Sequence, residues 1–154
     1  EPNARIVLHG VSMGAATVLM ASGEDLPGNV KAVIADCGYT SEWDEFQREA
    51  DALHIPWFPV LNATSVLSKI RDGYDFKQAS ALAQVKKSRI PTLFIHGSSD
   101  ELVPYSMLGE LYAAAACAKE ELTVEGAGHA LSSSVAPTLY WRTVEDFIAK
   151  YLDR

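Results

Sequence analysis

Residues 5–23 limit what this chain can fold into more than any other stretch. Ile6-Val7-Leu8 is a continuous apolar run, the pattern of a strand buried on both faces of a parallel sheet. It leads at once into Gly10-Val11-Ser12-Met13-Gly14. That in turn leads into Ala15-Ala16-Thr17-Val18-Leu19-Met20-Ala21, a small-residue helix that stops near Gly23. Taking glycine and serine at about 7% each, a G-x-S-x-G pentapeptide arises by chance about once in twenty chains of this length. The pentapeptide alone therefore means little. Its flanks give it meaning, because a buried strand directly before and a helix directly after are what a nucleophile elbow requires. The serine of an elbow sits in a strained turn, so its neighbours two positions before and after it must lack bulk. It also lies at a helix N-terminus, where the positive end of the dipole favours an oxyanion. The plainer reading is a tight strand-to-helix turn with an ordinary capping serine.

The remainder alternates strand and helix patterns, the signature of an α/β fold with a parallel sheet. Residues 30–35, after the turn Pro27-Gly28-Asn29, form a second strand. Thr92-Leu93-Phe94-Ile95, opened by Pro91, is a third, and Leu122-Thr123-Val124 a shorter fourth. Leu108, Leu111, Tyr112 and Ala115 fall on one helical stripe. Tyr140, Val144, Phe147, Ile148 and Tyr151 fall on another, in a helix that Pro137 opens. Residues 39–89 break the alternation, with no convincing strand and several short helices. Ser41 with Asp44 marks a helix start, and Trp43, Phe46, Ala50 and Leu53 its apolar face. His54-Ile55-Pro56-Trp57-Phe58-Pro59 ends it, and Asn62 and Ser80 are candidate caps for two more helices. About fifty residues is far more than a parallel crossover needs, so the excess reads as an insertion lying over the sheet's carboxyl edge.

Composition narrows the function. The 154 residues are 48% hydrophobic and 21% charged, which fits one globular domain and excludes intrinsic disorder. Thirteen Lys and Arg against twenty Asp and Glu give −7, against a nucleic-acid binder, which needs a basic face. No apolar run approaches the roughly 18 residues that span a bilayer. Two cysteines build neither a disulfide framework nor a four-ligand zinc site, and Cys37 and Cys117 read as plain buried thiols. There is no metal constellation and no phosphate loop, so no cofactor is implied. The chain enters its first apolar run at Arg5 with no initiator Met and no targeting segment, so it reads as a piece of a longer protein.

A nucleophilic serine needs a base, and the base an orienting acid, here expected in the order serine, acid, histidine, each just past a strand end. His9 and His96 come too early, and His54 lies in the insertion. His129, in Gly126-Ala127-Gly128-His129 after the fourth strand, has the right order and a glycine-rich loop that can reach inward. Asp100, in His96-Gly97-Ser98-Ser99-Asp100-Glu101-Leu102-Val103-Pro104 after the third strand, is the leading acid. Asp36 at the end of the second strand competes with it. Glu101 reads as solvated, and Lys86-Lys87-Ser88-Arg89 as a solvated helix end.

Together the Gly10–Gly14 elbow, the His96-Gly-x-x-Asp100-x-x-Val-Pro104 stretch and the Gly126-x-Gly-His129 loop resemble the α/β-hydrolase superfamily. Within it, Asp36-Cys37-Gly38-Tyr39-Thr40-Ser41 is similar to bacterial serine-aminopeptidase-like and acyl-transferase-like hydrolases. The resemblance covers essentially the whole chain. It implies a sheet whose nucleophile follows the fifth of eight strands. Residues 1–154 would then be the C-terminal part of one domain: strands five to eight, parallel, with helices on both faces and a helical lid insertion at about 39–89. Strands one to four would lie outside this chain. The resemblance also implies a Ser12, Asp100, His129 triad, with the Met13 N–H as one oxyanion donor and the second in the absent half. The edge of the strand at Arg5 to Leu8 would then seek the missing half or a second copy.

Half of the 14 aromatic residues fall within 39–76. They read either as a lid over an acyl pocket, with Trp43, Phe46, Trp57 and Phe58 touching substrate, or as the small core the insertion needs for itself. The expected function is a serine hydrolase of an ester, thioester or peptide bond, with a small acyl or peptide substrate and no cofactor. The alternative is a hydrolase-fold fragment that binds without turnover.

Overall fold

The computed structural model describes residues 4–152. Four strands, β1 (Ile6–Val11), β2 (Val30–Asp36), β3 (Thr92–Gly97) and β4 (Lys119–Val124), form one parallel sheet in the order β1-β2-β3-β4. Seven helices connect and cover it: α1 (Met13–Ser22), α2 (Glu42–Ala52), α3 (Trp57–Asp72), α4 (Ala81–Val85), α5 (Ser106–Ala114), α6 (Ser132–Val135) and α7 (Pro137–Leu152). None of these helices is long and apolar enough to cross a membrane.

The two faces of the sheet carry separate cores, because alternate residues of a strand point to opposite sides. On one side Val33, Ala35 and Phe94 pack against Ala15 and Leu19 of α1, Ala81 and Val85 of α4, and Leu108 and Leu111 of α5. On the other, Ala32, Ile34, Leu93, Ile95 and Val124 pack against Tyr140, Val144, Phe147 and Tyr151 of α7. β2 and β3 are therefore buried on both faces, as their apolar runs require. α2 and α3 pack chiefly on one another, whereas α4 belongs to the main core beside α1.

Several elements differ from the sequence reading. All four strands are longer than their apolar cores. β4 begins with Lys119, Glu120 and Glu121, charged residues tolerated because β4 is an edge strand. Ser41 and Ser80 do cap α2 and α4, their hydroxyls accepting from the N–H of Asp44 and Ala83 at 3.1 and 3.2 Å. Asn62 caps nothing and lies inside α3. Pro59 disfavours helical geometry at Phe58, whose ψ is 132°, so the regular helix restarts at the proline instead. Leu53, placed on the apolar face of α2, is exposed beyond the helix end. Cys37 is buried, but Cys117 is only half-buried.

Parallel pairing brings all the strand C-termini to one edge. Val11 pairs with Asp36, Asp36 with Ile95 and Gly97 with Val124. The Ser12 N–H then donates to Asp36 O at 2.9 Å, and the Cys37 N–H to Ile95 O at 2.9 Å. Two glycines make the approach possible. A Cβ on Gly10 would lie 2.1 Å from the Gly14 carbonyl oxygen, and one on Gly97 2.2 Å from that of Ala127. The expected lack of bulk two positions after the serine does not hold, because a Cβ on Gly14 would meet nothing within 4 Å. The turn crowds one side only: the backbone of Gly14 folds onto Gly10, while its own Cα faces outward. Gly10→Ala should therefore cost about 1–3 kcal/mol, since backbone cannot yield as a side chain does. Gly14→Ala should be nearly neutral. Urea denaturation of both variants checks this.

Candidate active site

Ser12 sits between β1 and α1 at φ 55°, ψ −120°, a left-handed conformation that costs a non-glycine residue on the order of 1–3 kcal/mol. It occupies the N-cap position of α1, yet its side chain caps nothing. Its Oγ lies 2.8 Å from His129 Nε2 instead. The plain capping-serine reading therefore fails. His129 Nδ1 in turn lies 2.9 Å from Asp100 Oδ2. A carboxylate only accepts, so the hydrogen bonds assign the proton to Nδ1 and leave Nε2 to accept from the serine hydroxyl.

Asp100 is buried and held from several sides. Its Oδ1 accepts from the N–H groups of Leu102 at 3.0 Å and Val103 at 2.9 Å. Its Oδ2, besides meeting His129, lies 3.3 Å from Nε2 of His96, which is 3.0 Å from Val103 O. Sequence reasoning set His96 aside as coming too early in the chain. The i,i+4 spacing of His96 and Asp100 was the signal that could have placed it beside the acid.

Asp36 is equally buried but faces elsewhere. Ser132 Oγ donates to its Oδ1 at 3.1 Å, and the Tyr140 hydroxyl also bonds it. Burial pushes this carboxyl up from the usual aspartate range, and the two hydroxyls pull part of the way back. The His129 imidazole meets Asp100 through Nδ1 and not Asp36. Tyr140 OH also lies 3.0 Å from His9 Nε2, and burial pulls the His9 imidazole down. Neither the Asp36–Tyr140–His9 chain nor the Ser132 link is visible in sequence, since each joins distant segments.

Cys37 follows Asp36 at φ 48° and is 1% exposed. Burial first, then the charges of Asp36 and Asp100, push its thiol up to about 12. Met13 opens α1, and its N–H belongs to the first turn, whose donors lack intrahelical partners. Its side chain is exposed. Of the four aromatic residues singled out, Phe46 and Trp57 line a cavity of about 230 Å³ between α2 and α3, with Ile55, Val60, Leu61 and Phe76. Neither Ser12 nor His129 is on its wall. Trp43 meets Trp57 edge-on at 6.4 Å under Lys77 Nζ, and Phe58 points to solvent.

The fold agrees with what the chain is similar to. It belongs to the prolyl oligopeptidase family, whose model matches residues 2–154, and its fold is that of the α/β-hydrolase superfamily. It is 31% identical over 144 residues to the uncharacterised protein YqkD of Bacillus subtilis, covering 93% of this chain and 47% of that protein. It is 30% identical to the α/β hydrolase domain-containing protein WAV2 of Arabidopsis thaliana, covering 96% of this chain and 47% of that one. The chain thus spans about half the length of these relatives. Among solved structures, the acylaminoacyl peptidase of Pyrococcus horikoshii superposes with a TM-score of 0.71 at 16% identity, over 99% of this chain and 25% of that one. The esterase Pf2001 of Pyrococcus furiosus superposes at 0.70 and 19% identity, over 96% and 55%.

The raised Cys37 thiol yields a test of this environment. Burial keeps Cys37 as the thiol at pH 8 and out of contact with solvent, so iodoacetamide should modify Cys117 in the native protein and reach Cys37 only after denaturation. Peptide mass mapping of the two states measures it.

Proposed function

We propose that this chain carries the catalytic half of a serine hydrolase acting on an ester, thioester or peptide bond. The observation that carries the reading is the hydrogen-bonded line from Ser12 Oγ through the His129 imidazole to Asp100 Oδ2, at 2.8 and 2.9 Å. In it Ser12 attacks the carbonyl carbon while His129 Nε2 takes the hydroxyl proton. His129 then delivers that proton to the leaving group. Asp100 keeps Nδ1 protonated and stabilises the imidazolium that forms between the two steps. The Met13 N–H, at the positive end of α1, donates to the oxyanion, with a second donor supplied from outside this chain. The aromatic side chains of α2 and α3 serve the insertion's own small core in this reading, since Phe46 and Trp57 wall a cavity that neither Ser12 nor His129 reaches, and Trp43 packs on Trp57 while Phe58 faces solvent.

A fluorophosphonate probe tests the nucleophile. The parent protein should label at Ser12, and Ser12→Ala should abolish the labelling; labelling that survives would overturn the assignment. The isolated chain should label slowly, since loss of one oxyanion donor costs on the order of 10² to 10³ in rate. Asp100→Asn should lower turnover by about 10⁴ with the fold intact, because the amide favours the wrong imidazole tautomer. Asp36→Asn should do far less.

The same reading concerns the open side of the sheet. β1 is an edge strand, and Ile6 and Val11 on it are 39% and 41% exposed. A flat apolar edge is a template for pairing, so the rest of the longer protein or a second copy should cover it. Sedimentation of the purified chain is expected to show association. A soluble monomer at high concentration would refute this part.

A further inference from the structure

We propose that Cys37, His129 and Asp100 form a site for a divalent cation of the zinc class, and that filling it switches Ser12 off. One imidazole nitrogen of His129, one carboxylate oxygen of Asp100 and the Cys37 Sγ all lie within 4.8 Å of one another. Among the described residues this is the one group of three such donors. A thiolate, an imidazole and a carboxylate are ligands that zinc accepts, whereas magnesium and calcium favour oxygen alone. Zinc bonds of about 2.0–2.3 Å place the corners of a tetrahedral site about 3.3–3.7 Å apart. His129 Nδ1 lies 2.9 Å from Asp100 Oδ2, and all three donor atoms lie within 4.8 Å of one another, close to that figure. Small side-chain rotations would close the site.

The surroundings favour it. The N–H groups of Leu102 and Val103 both bond Oδ1 of Asp100, which fixes the carboxylate and turns Oδ2 toward the imidazoles of His129 at 2.9 Å and His96 at 3.3 Å. Cys37 is pinned at the end of β2 by its own N–H on Ile95 O. The His129 side chain, 21% exposed against none of Asp100, is the entry side. On binding, the Cys37 thiol proton leaves to solvent, and the imidazole proton moves from Nδ1 to Nε2 so that Nδ1 can meet the cation. A protonated Nε2 cannot accept from Ser12. The loss of activity rests on the function proposed above, but the binding of the cation does not.

Cobalt(II) reads the site directly, because a thiolate ligand gives a charge-transfer absorption. One equivalent should produce that band in the purified protein, and zinc or EDTA should abolish it. Cys37→Ala should remove the band and weaken zinc binding, followed by calorimetry, by about tenfold or more. Cys117→Ala should leave both unchanged. His129→Ala keeps the thiol but loses a ligand, and should weaken zinc by a similar factor even if Cys37→Ala fails to fold. A band that survives Cys37→Ala, or a zinc affinity indifferent to both substitutions, overturns the site. With the fluorophosphonate probe, Cys37→Ala should need about tenfold more zinc than the wild type to be slowed, each rate being taken relative to the same variant without zinc. A Cys37-dependent cobalt band in a protein whose Ser12 never labels would leave the site standing and the hydrolase reading refuted. Labelling at Ser12 without any such band would mean the reverse.

Discussion

The Asp100 carboxylate is where the geometry of the sheet becomes the geometry of the site. Two backbone N–H groups fix Oδ1, and two imidazoles, His129 at 2.9 Å and His96 at 3.3 Å, converge on Oδ2. A buried carboxylate without such donors would be expensive, and with them it becomes a rigid anchor. His129 takes its orientation from that anchor, and Ser12 finds its acceptor because His129 is oriented. The loop after β3 is thus the base on which the other two loops rest.

Those loops meet only because backbone is allowed to pass close to backbone. Gly10 admits the carbonyl of Gly14, and Gly97 admits that of Ala127, at separations that leave no room for a methyl group. The left-handed turn at Ser12 costs energy that an isolated peptide would release by relaxing. It persists because β1 and α1 hold the turn from both ends and the Ser12 N–H is tied to Asp36 O.

Beneath the site a second set of polar contacts joins segments far apart in the chain. Asp36 reaches Ser132 just beyond the His129 loop, and Tyr140 of α7 bridges Asp36 and His9. Elsewhere α7 covers its face of the sheet with apolar side chains, so this polar end marks where the core turns into the site. Cys37 stands at the junction of the two sets. Its buried thiol packs there beside both carboxylates.

The parallel sheet, the sharp strand-to-helix turn at Ser12 and the caps at Ser41 and Ser80 all follow from the sequence, because each rests on neighbours in the chain. Apolar runs mark β2 and β3 since both faces are buried, and Gly10 marks a turn that only glycine permits at its entry. What only the tertiary structure decided lies between segments. Asp36 ends β2 and Asp100 lies in the loop after β3; Ser132 and Tyr140 bond the first, while His129 meets the second. Asn62 failed as a cap because Pro59 restarted α3 before it, and Leu53 stayed outside because α2 ended first. His96 meets Asp100 from the end of β3, and the Cys37 N–H is tied to Ile95 O, contacts that only the folded sheet makes. Local preference writes elements into a sequence, but register and packing choose which of their ends touch.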